Sequence, residues 1–145
     1  MGSGVIVHRI SDGQRLSRHS ILPEHDQSNE EMCAAEIVLC PPLQPDGPSL
    51  LIATNRFSTH PDGDALALFK VSTDGSEVTP APEHLVWGAG AHLRGLAVDP
   101  SGRWVVVLAR EWGGMTMYER VGKGLELKEV ARLADVERTV VAAWL

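Results

Sequence analysis

Two stretches of this chain follow one plan. AAEIVLCPPLQPDGPSLLIATNR, DALALFKVSTDG and SEVTPAPEHLV can be laid in order against HLRGLAVDPSGRWVVVLAR, GMTMYERVGKG and LELKEVARL. In each copy an apolar run reaches a proline (Pro41, Pro100) and a glycine turn (Asp46-Gly47, Ser101-Gly102), and a second run ends in arginine (Arg56, Arg110). A third run carrying an aromatic (Phe69, Tyr118) passes through another glycine turn to a fourth. The proline spacing is 59 and the arginine spacing 54, a difference that loops absorb. Short apolar runs bounded by Gly, Pro, Asp and Asn read as β-strands. A duplicated four-run unit reads as two antiparallel meanders, the form of a β-propeller blade.

The flanks extend the pattern. Val5 to Ile10, a Ser11-Asp12-Gly13 turn and a run near Arg15 to His19 precede the first copy, and Thr139 to Trp144 follows the second as one more strand. Helical spacing is convincing nowhere. Leu125 to Val136 reads either way, and a strand is favoured because alternation at Leu125 and Leu127 follows a Gly-Lys-Gly turn. The polar stretch Glu24 to Glu31 reads as a solvated interblade loop. The expected fold class is therefore all-β, a partial β-propeller. Residues 1–32 form outer strands of a preceding blade and a loop, 33–90 and 91–134 two complete four-stranded blades, and 135–145 the first strand of a following blade. Closed rings use at least four blades, so the chain is expected to be a fragment, a truncated product, or a unit that completes its ring by self-association through uncovered blade faces. A small sandwich or barrel is the competing architecture, since about ten strands would fill one; strand pairing separates the two.

Charge and composition exclude whole classes. With 19 acidic against 13 Lys and Arg residues the formal charge is −6, which opposes a nucleic-acid role. The longest apolar runs, such as Trp104 to Ala109, are strand-sized, so a membrane-spanning helix is not expected. The start MGSGVIVHRI lacks the layout of a secretory signal, making a cytoplasmic setting the default. Cys33 and Cys40, seven steps apart on one extended run, would sit roughly 23 Å from each other and read as reduced thiols. No CxxC or HxxxH spacing suggests a metal site, and His60-Pro61-Asp62-Gly63-Asp64 reads as a turn before a cation loop.

The order AAEIVLCPP, LLIATNR, DALALFKVSTDG, AHLRGLAVDPSGRWVVVLAR, MTMYERV, GLELKEV resembles the lactonase family of seven-bladed propellers. That family includes the bacterial-type 6-phosphogluconolactonase and the fungal carboxy-cis,cis-muconate cyclase. The resemblance spans Val5 to Leu145 and corresponds to about the C-terminal two-fifths of a full member. It departs where members commonly carry a proline between His and Arg of the second copy, here Leu93. It implies a small anionic lactone or carboxylate as substrate, lactone hydrolysis or cycloisomerisation as chemistry, and no metal or organic cofactor.

Topology places the polar residues. In a meander the start of the first strand and the end of the second share one sheet edge, so Glu36, His92, Arg94, Arg56, Arg110 and Glu111 are expected at one rim. Lactone chemistry needs proton transfer and a cationic partner for the substrate's anion. Glu36 suits a general base, His92 a general acid or base, and Arg56 and Arg94 bidentate anion clamps. Each has a structural alternative: Glu36 as an ion-pair partner of Arg56 or Arg94, His92 as a core residue tying blades, Arg110 and Glu111 as a solvated pair. Trp87, Trp104, Trp112 and Trp144 read as blade packing. The competing function is a non-catalytic module that self-associates or docks on another chain, and the isolated chain is expected to be a poor catalyst.

Overall fold

The computed structural model describes residues 3–23 and 31–144, so most of the polar stretch expected as an interblade loop lies outside the described residues. Among the described residues ten strands follow one another: β1 (Gly4–His8), β2 (Arg15–Ser20), β3 (Cys33–Cys40), β4 (Ser49–Arg56), β5 (Leu66–Val71), β6 (Val78–Val86), β7 (Leu93–Val98), β8 (Trp104–Ala109), β9 (Met115–Val121) and β10 (Glu126–Leu133). They form a β1-β2 hairpin and two four-stranded sheets, β3-β4-β5-β6 and β7-β8-β9-β10, antiparallel throughout. Every laddered neighbour is a sequence neighbour. That is the propeller meander, and it excludes the Greek-key pairing of a sandwich.

The turns show why the strands stop where they do. At the β7–β8 turn the Asp99 carboxylate accepts from the amides of Ser101 and Trp104 (3.1 and 2.8 Å), and Gly102 takes the left-handed φ of 75° that closes it. Burial works against the Asp99 charge, but the donors from Ser101, Trp104 and Arg103 outweigh it and hold the carboxyl below its ordinary range. At the β5–β6 turn Ser72 and Ser76 donate to Asp74, whose carboxyl is lowered to about 2. Strand β6 runs through Pro80 and Pro82, which a central strand would not tolerate; as the outer strand of its blade it has one side free of ladder bonds.

Alternation then divides the core in two. Leu50, Ile52, Leu66 and Leu68 on one blade pack against Leu93, Val105, Val107 and Tyr118 on the other, and this is the interblade core. The opposite face of the first blade, with Ala53, Ala67 and Phe69, is covered by Val5, Ile21, Leu22 and Met32 from the hairpin and its flanks. Each fully buried Leu, Ile, Val or Phe stabilises by roughly 1.5–3 kcal/mol, so the two seams are the main apolar stabilisation of the blade pair.

The segment 139–144, expected as a strand, carries no ladder. Its Thr139 hydroxyl instead donates to the carbonyls of Ala109 and Gly114 (2.8 and 3.1 Å). Apolar composition favours extension, but a strand exists only where a neighbour takes up its amides. Cys33 and Cys40, at opposite ends of β3, are unbridged; burial pushes the Cys40 thiol up to about 11.

Candidate active site

The inner strands β3 and β7 lie side by side, and both are bulged near their starts. The β3–β4 register slips between Ala34 and Ile37, and the β7–β8 register between Leu93 and Gly95. Glu36 falls in the first bulge and Arg94 in the second. A bulge takes a residue out of the ladder and re-aims its side chain. Released from the ladder, the Glu36 amide donates to the Thr54 hydroxyl at 3.0 Å. Glu36 and Arg94 line one recess of about 130 Å³, closed on its other side by Val140, Val141 and Ala142.

Among the described residues, no hydrogen bond or ion pair joins the Glu36 carboxylate to Arg94 or Arg56, so the expected structural ion pair is absent. The Nε atoms of Arg94 and Arg56 are buried without a partner. Buried polar atoms are normally paired, so two guanidinium nitrogens without an acceptor suit a place where an anionic ligand completes the bonding.

His92 opens a second cleft. This one, of about 450 Å³, is lined by Phe57, His92, Arg110, Glu111, Glu137 and Arg138. His92 has a φ of 58°, Phe57 of 67° and Arg138 of 57°; among the described residues only Lys123 joins them as a non-glycine with positive φ. Left-handed backbone is costly for side chains this large and clusters where function requires it. The turn sets the His92 ring against Phe57, with ring centroids 4.9 Å apart and an edge-to-face tilt of 65°. Arg56 sits over the other partner of that contact, its guanidinium carbon 5.9 Å from the Phe57 centroid. The expected convergence of Glu36, Arg56, His92 and Arg94 is not one pocket: Glu36 and Arg94 share a recess, His92 lines the neighbouring cleft, and Arg56 lies against Phe57 and lines neither.

Asp64 fixes this geometry, and sequence reading passed it over as part of a turn. From the loop after β4 its carboxylate accepts the amide of Ser58 at 2.8 Å and those of His92 and Leu93 at 2.6 and 3.3 Å. One blade thereby holds the first strand of the next. Burial raises the Asp64 carboxyl above its ordinary range, opposed by those same amide donors and by His92. Beside it the Asn55 side-chain oxygen accepts from Ala65 N at 2.6 Å, and Gly63 bridges Gly90 in a pairing so close that a side chain at Gly63 would meet the Gly90 carbonyl. The -Asn-Arg-Phe- and Asp-Gly-Asp stretches were the available signals.

Glu111 also differs from expectation. It pairs with His92, Nδ1 to Oε1 at 3.3 Å, and not with Arg110. Of the tryptophans, Trp87 stacks on His60 (4.1 Å) and Trp104 lies under Arg103 (5.3 Å), while Trp112 and Trp144 are exposed. No group of three or more metal-ligating side chains is found among the described residues, and no helix is long and apolar enough to cross a membrane.

Comparison with known proteins adds a family. A family model described as lactonase, 7-bladed beta-propeller, matches residues 1–144. Among solved structures, a Lactobacillus plantarum protein aligns at 22% identity with a TM-score of 0.68, covering 95% of this chain and 37% of its own. A Bacteroides uniformis protein described as a "putative 6-phosphogluconolactonase" aligns at 20% identity with a TM-score of 0.69, covering 94% of this chain and 36% of its own. At these identities the structures speak for the fold, and the chain spans little more than a third of their length. No curated protein sequence matches it.

Proposed function

Because the chain belongs to the lactonase family of seven-bladed β-propellers, we propose that its rim handles a sugar-acid lactone, opening the ring by hydrolysis. The observation that carries this reading is the pairing of bulges that sets Glu36 and Arg94 in one recess with their charges uncommitted. Glu36 serves as general base. It takes a proton from water as the water oxygen bonds to the lactone carbonyl, and returns it to the ring oxygen when the C–O bond breaks. Arg94, in that recess, holds the substrate's carboxylate or phosphate, while Arg56 and His92, at the neighbouring cleft, supply a second cation and a second proton-transfer group to a substrate that reaches across both. The chemistry calls for no metal or organic cofactor. The same groups suit muconate-type cycloisomerisation, in which a carboxylate adds within its own molecule. A cytoplasmic location is part of this reading. With two blades of a seven-bladed design, the chain alone is expected to turn over slowly.

The test is an assay of purified chain on 6-phosphogluconolactone and on carboxymuconate, with Glu36→Gln and His92→Ala alongside. Loss of turnover in Glu36→Gln, with Arg94→Met weakening substrate binding, is the expected result. Activity indifferent to Glu36→Gln and His92→Ala removes the assignment.

A second reading is favoured by exposed apolar side chains. Ile37 and Leu39 on β3 and Val140 and Val141 near the C-terminal end stand open, which suits a module that associates with copies of itself. Light scattering decides it: a strict monomer at high concentration counts against this reading.

A further inference from the structure

The His92 cleft contains a pairing that the proposed reaction does not by itself require. Glu111 stands at the solvent side of the cleft with its side chain 61% exposed, while the His92 side chain is only 9% exposed. The Glu111 oxygen lies 3.3 Å from Nδ1, and Nε2 is buried with no partner. An ionised carboxylate has no proton to give, so the hydrogen in that bond belongs to Nδ1. In the neutral ring this leaves Nε2 with a free lone pair.

From this we propose that Glu111 is a positioning residue: it fixes the Nδ1–H tautomer of His92 so that Nε2 is held as a bare acceptor for a ligand hydroxyl or water. Three further contacts hold the ring in place. Asp64 binds the His92 amide and the next one, pinning the backbone at its left-handed φ. Phe57 packs edge-to-face on the imidazole. The backbone N–H of Arg110 donates to the His92 carbonyl at 3.1 Å, fastening the bend after β8 that carries Glu111 to the turn that carries His92. Arg110, Glu137 and Arg138 are the other charged groups lining the cleft, with Asp64 beneath it and Arg56 behind Phe57. Two carboxylates thus serve one histidine, Asp64 through its backbone and Glu111 through its ring. Such an orienting partner for an imidazole is a general device for fixing which nitrogen acts.

The use of Nε2 as a proton acceptor in lactone chemistry rests on the functional reading above; the tautomer does not. The experiment therefore has two arms on the folded chain. In the first, nitrogen-15 spectra of the His92 ring, recorded above the pH at which it is protonated, separate a protonated ring nitrogen from a bare one. The wild type should show a protonated Nδ1 and a bare Nε2. Glu111→Ala should move the proton toward Nε2, and Glu111→Gln, whose amide oxygen still accepts, should restore the wild-type pattern. A wild type protonated on Nε2, or a Glu111→Ala spectrum identical to wild type, overturns the proposal. Unchanged backbone amide shifts at Ser58 and Leu93 establish that Glu111→Ala keeps the fold around Asp64. In the second arm, lactone turnover should fall about tenfold or more in Glu111→Ala, mainly in kcat, and recover in Glu111→Gln. Turnover absent in every variant, with the tautomer as stated, defeats the lactonase reading and leaves the positioning role standing.

Discussion

The two ends of the blade pair are built from the same kinds of residue and use them oppositely. At the end away from the candidate site, Arg120 is 97% buried by residue area, and its guanidinium donates to three backbone carbonyls: Nε to Gly124 (3.0 Å), and one terminal nitrogen to Pro41 (2.7 Å) and Gly102 (2.5 Å). Pro41 belongs to the first blade and Gly102 and Gly124 to the second, so the charge is spent on holding the blades together. Only its other terminal nitrogen lacks a partner. At the site end Arg56 and Arg94 leave buried Nε atoms unpaired, His92 leaves Nε2 without a partner, and Glu36 has no ion-pair partner among the described residues. The clamp at that end is instead the Asp64 carboxylate acting on backbone amides. Charge consumed by backbone marks scaffold, and the charge left over at the other end is what a ligand completes in the proposed function.

That contrast breaks first at Arg120. Arg120→Met should strand three carbonyls and cost about 3 kcal/mol in chemical denaturation, with ligand binding at the far rim little changed in whatever fraction remains folded. Asp64→Ala comes next, at about 2 kcal/mol, because three amides lose their acceptor while a costly buried charge is also removed. It should disturb both folding and the His92 ring.

The pH dependence of folding sharpens the comparison. The Asp64 carboxyl is raised in the folded state, so its contribution is fully present below the ordinary carboxylate value and is lost as pH rises through the raised one. Asp74 and Asp99 run the other way: their lowered carboxyls contribute stability that is present above the ordinary value and lost as pH falls, for Asp74 toward about 2. Comparing denaturation midpoints of wild type and Asp64→Asn across mildly acid pH should remove the falling component and leave the rising one. Arg94→Met should have the smallest effect on folding, neutral or stabilising by up to about 1 kcal/mol, while weakening anion binding. A loss of stability at Arg94 as large as that at Arg120 would erase the distinction between the ends.

Much of the architecture was readable from residue order. The limits of β8 agree with the expected run Trp104 to Ala109 to the residue, because the preceding Asp99-Pro100-Ser101-Gly102 is a turn whose acceptor, proline and left-handed glycine are all local. Pro80 and Pro82 lie inside β6, and their acceptability there depends on its being at a sheet edge, which no local pattern displays. The strand expected at 139–144 fails for the complementary reason, since pairing is not a local property. At the rim, the strand starts and ends that carry Glu36, Arg56, His92 and Arg94 were legible, but the bulges at Glu36 and Arg94 were not, nor the positive φ of His92. Both arise from contacts between distant segments: the Thr54 hydroxyl reaching the Glu36 amide, and Asp64 reaching His92 across the blade boundary. Glu111 looked like a partner for its neighbour Arg110 until the fold brought His92 to it.

The most direct measurement is amide-shift mapping of the chain titrated with the open-chain acid of a phosphorylated sugar lactone. Shifts that saturate and concentrate at Glu36, Arg56, Phe57 and residues 92–95, leaving the surroundings of Arg120 and Gly124 still, are the predicted result. Shifts centred on the Arg120 end, or none at any concentration while the chain remains folded, would contradict it.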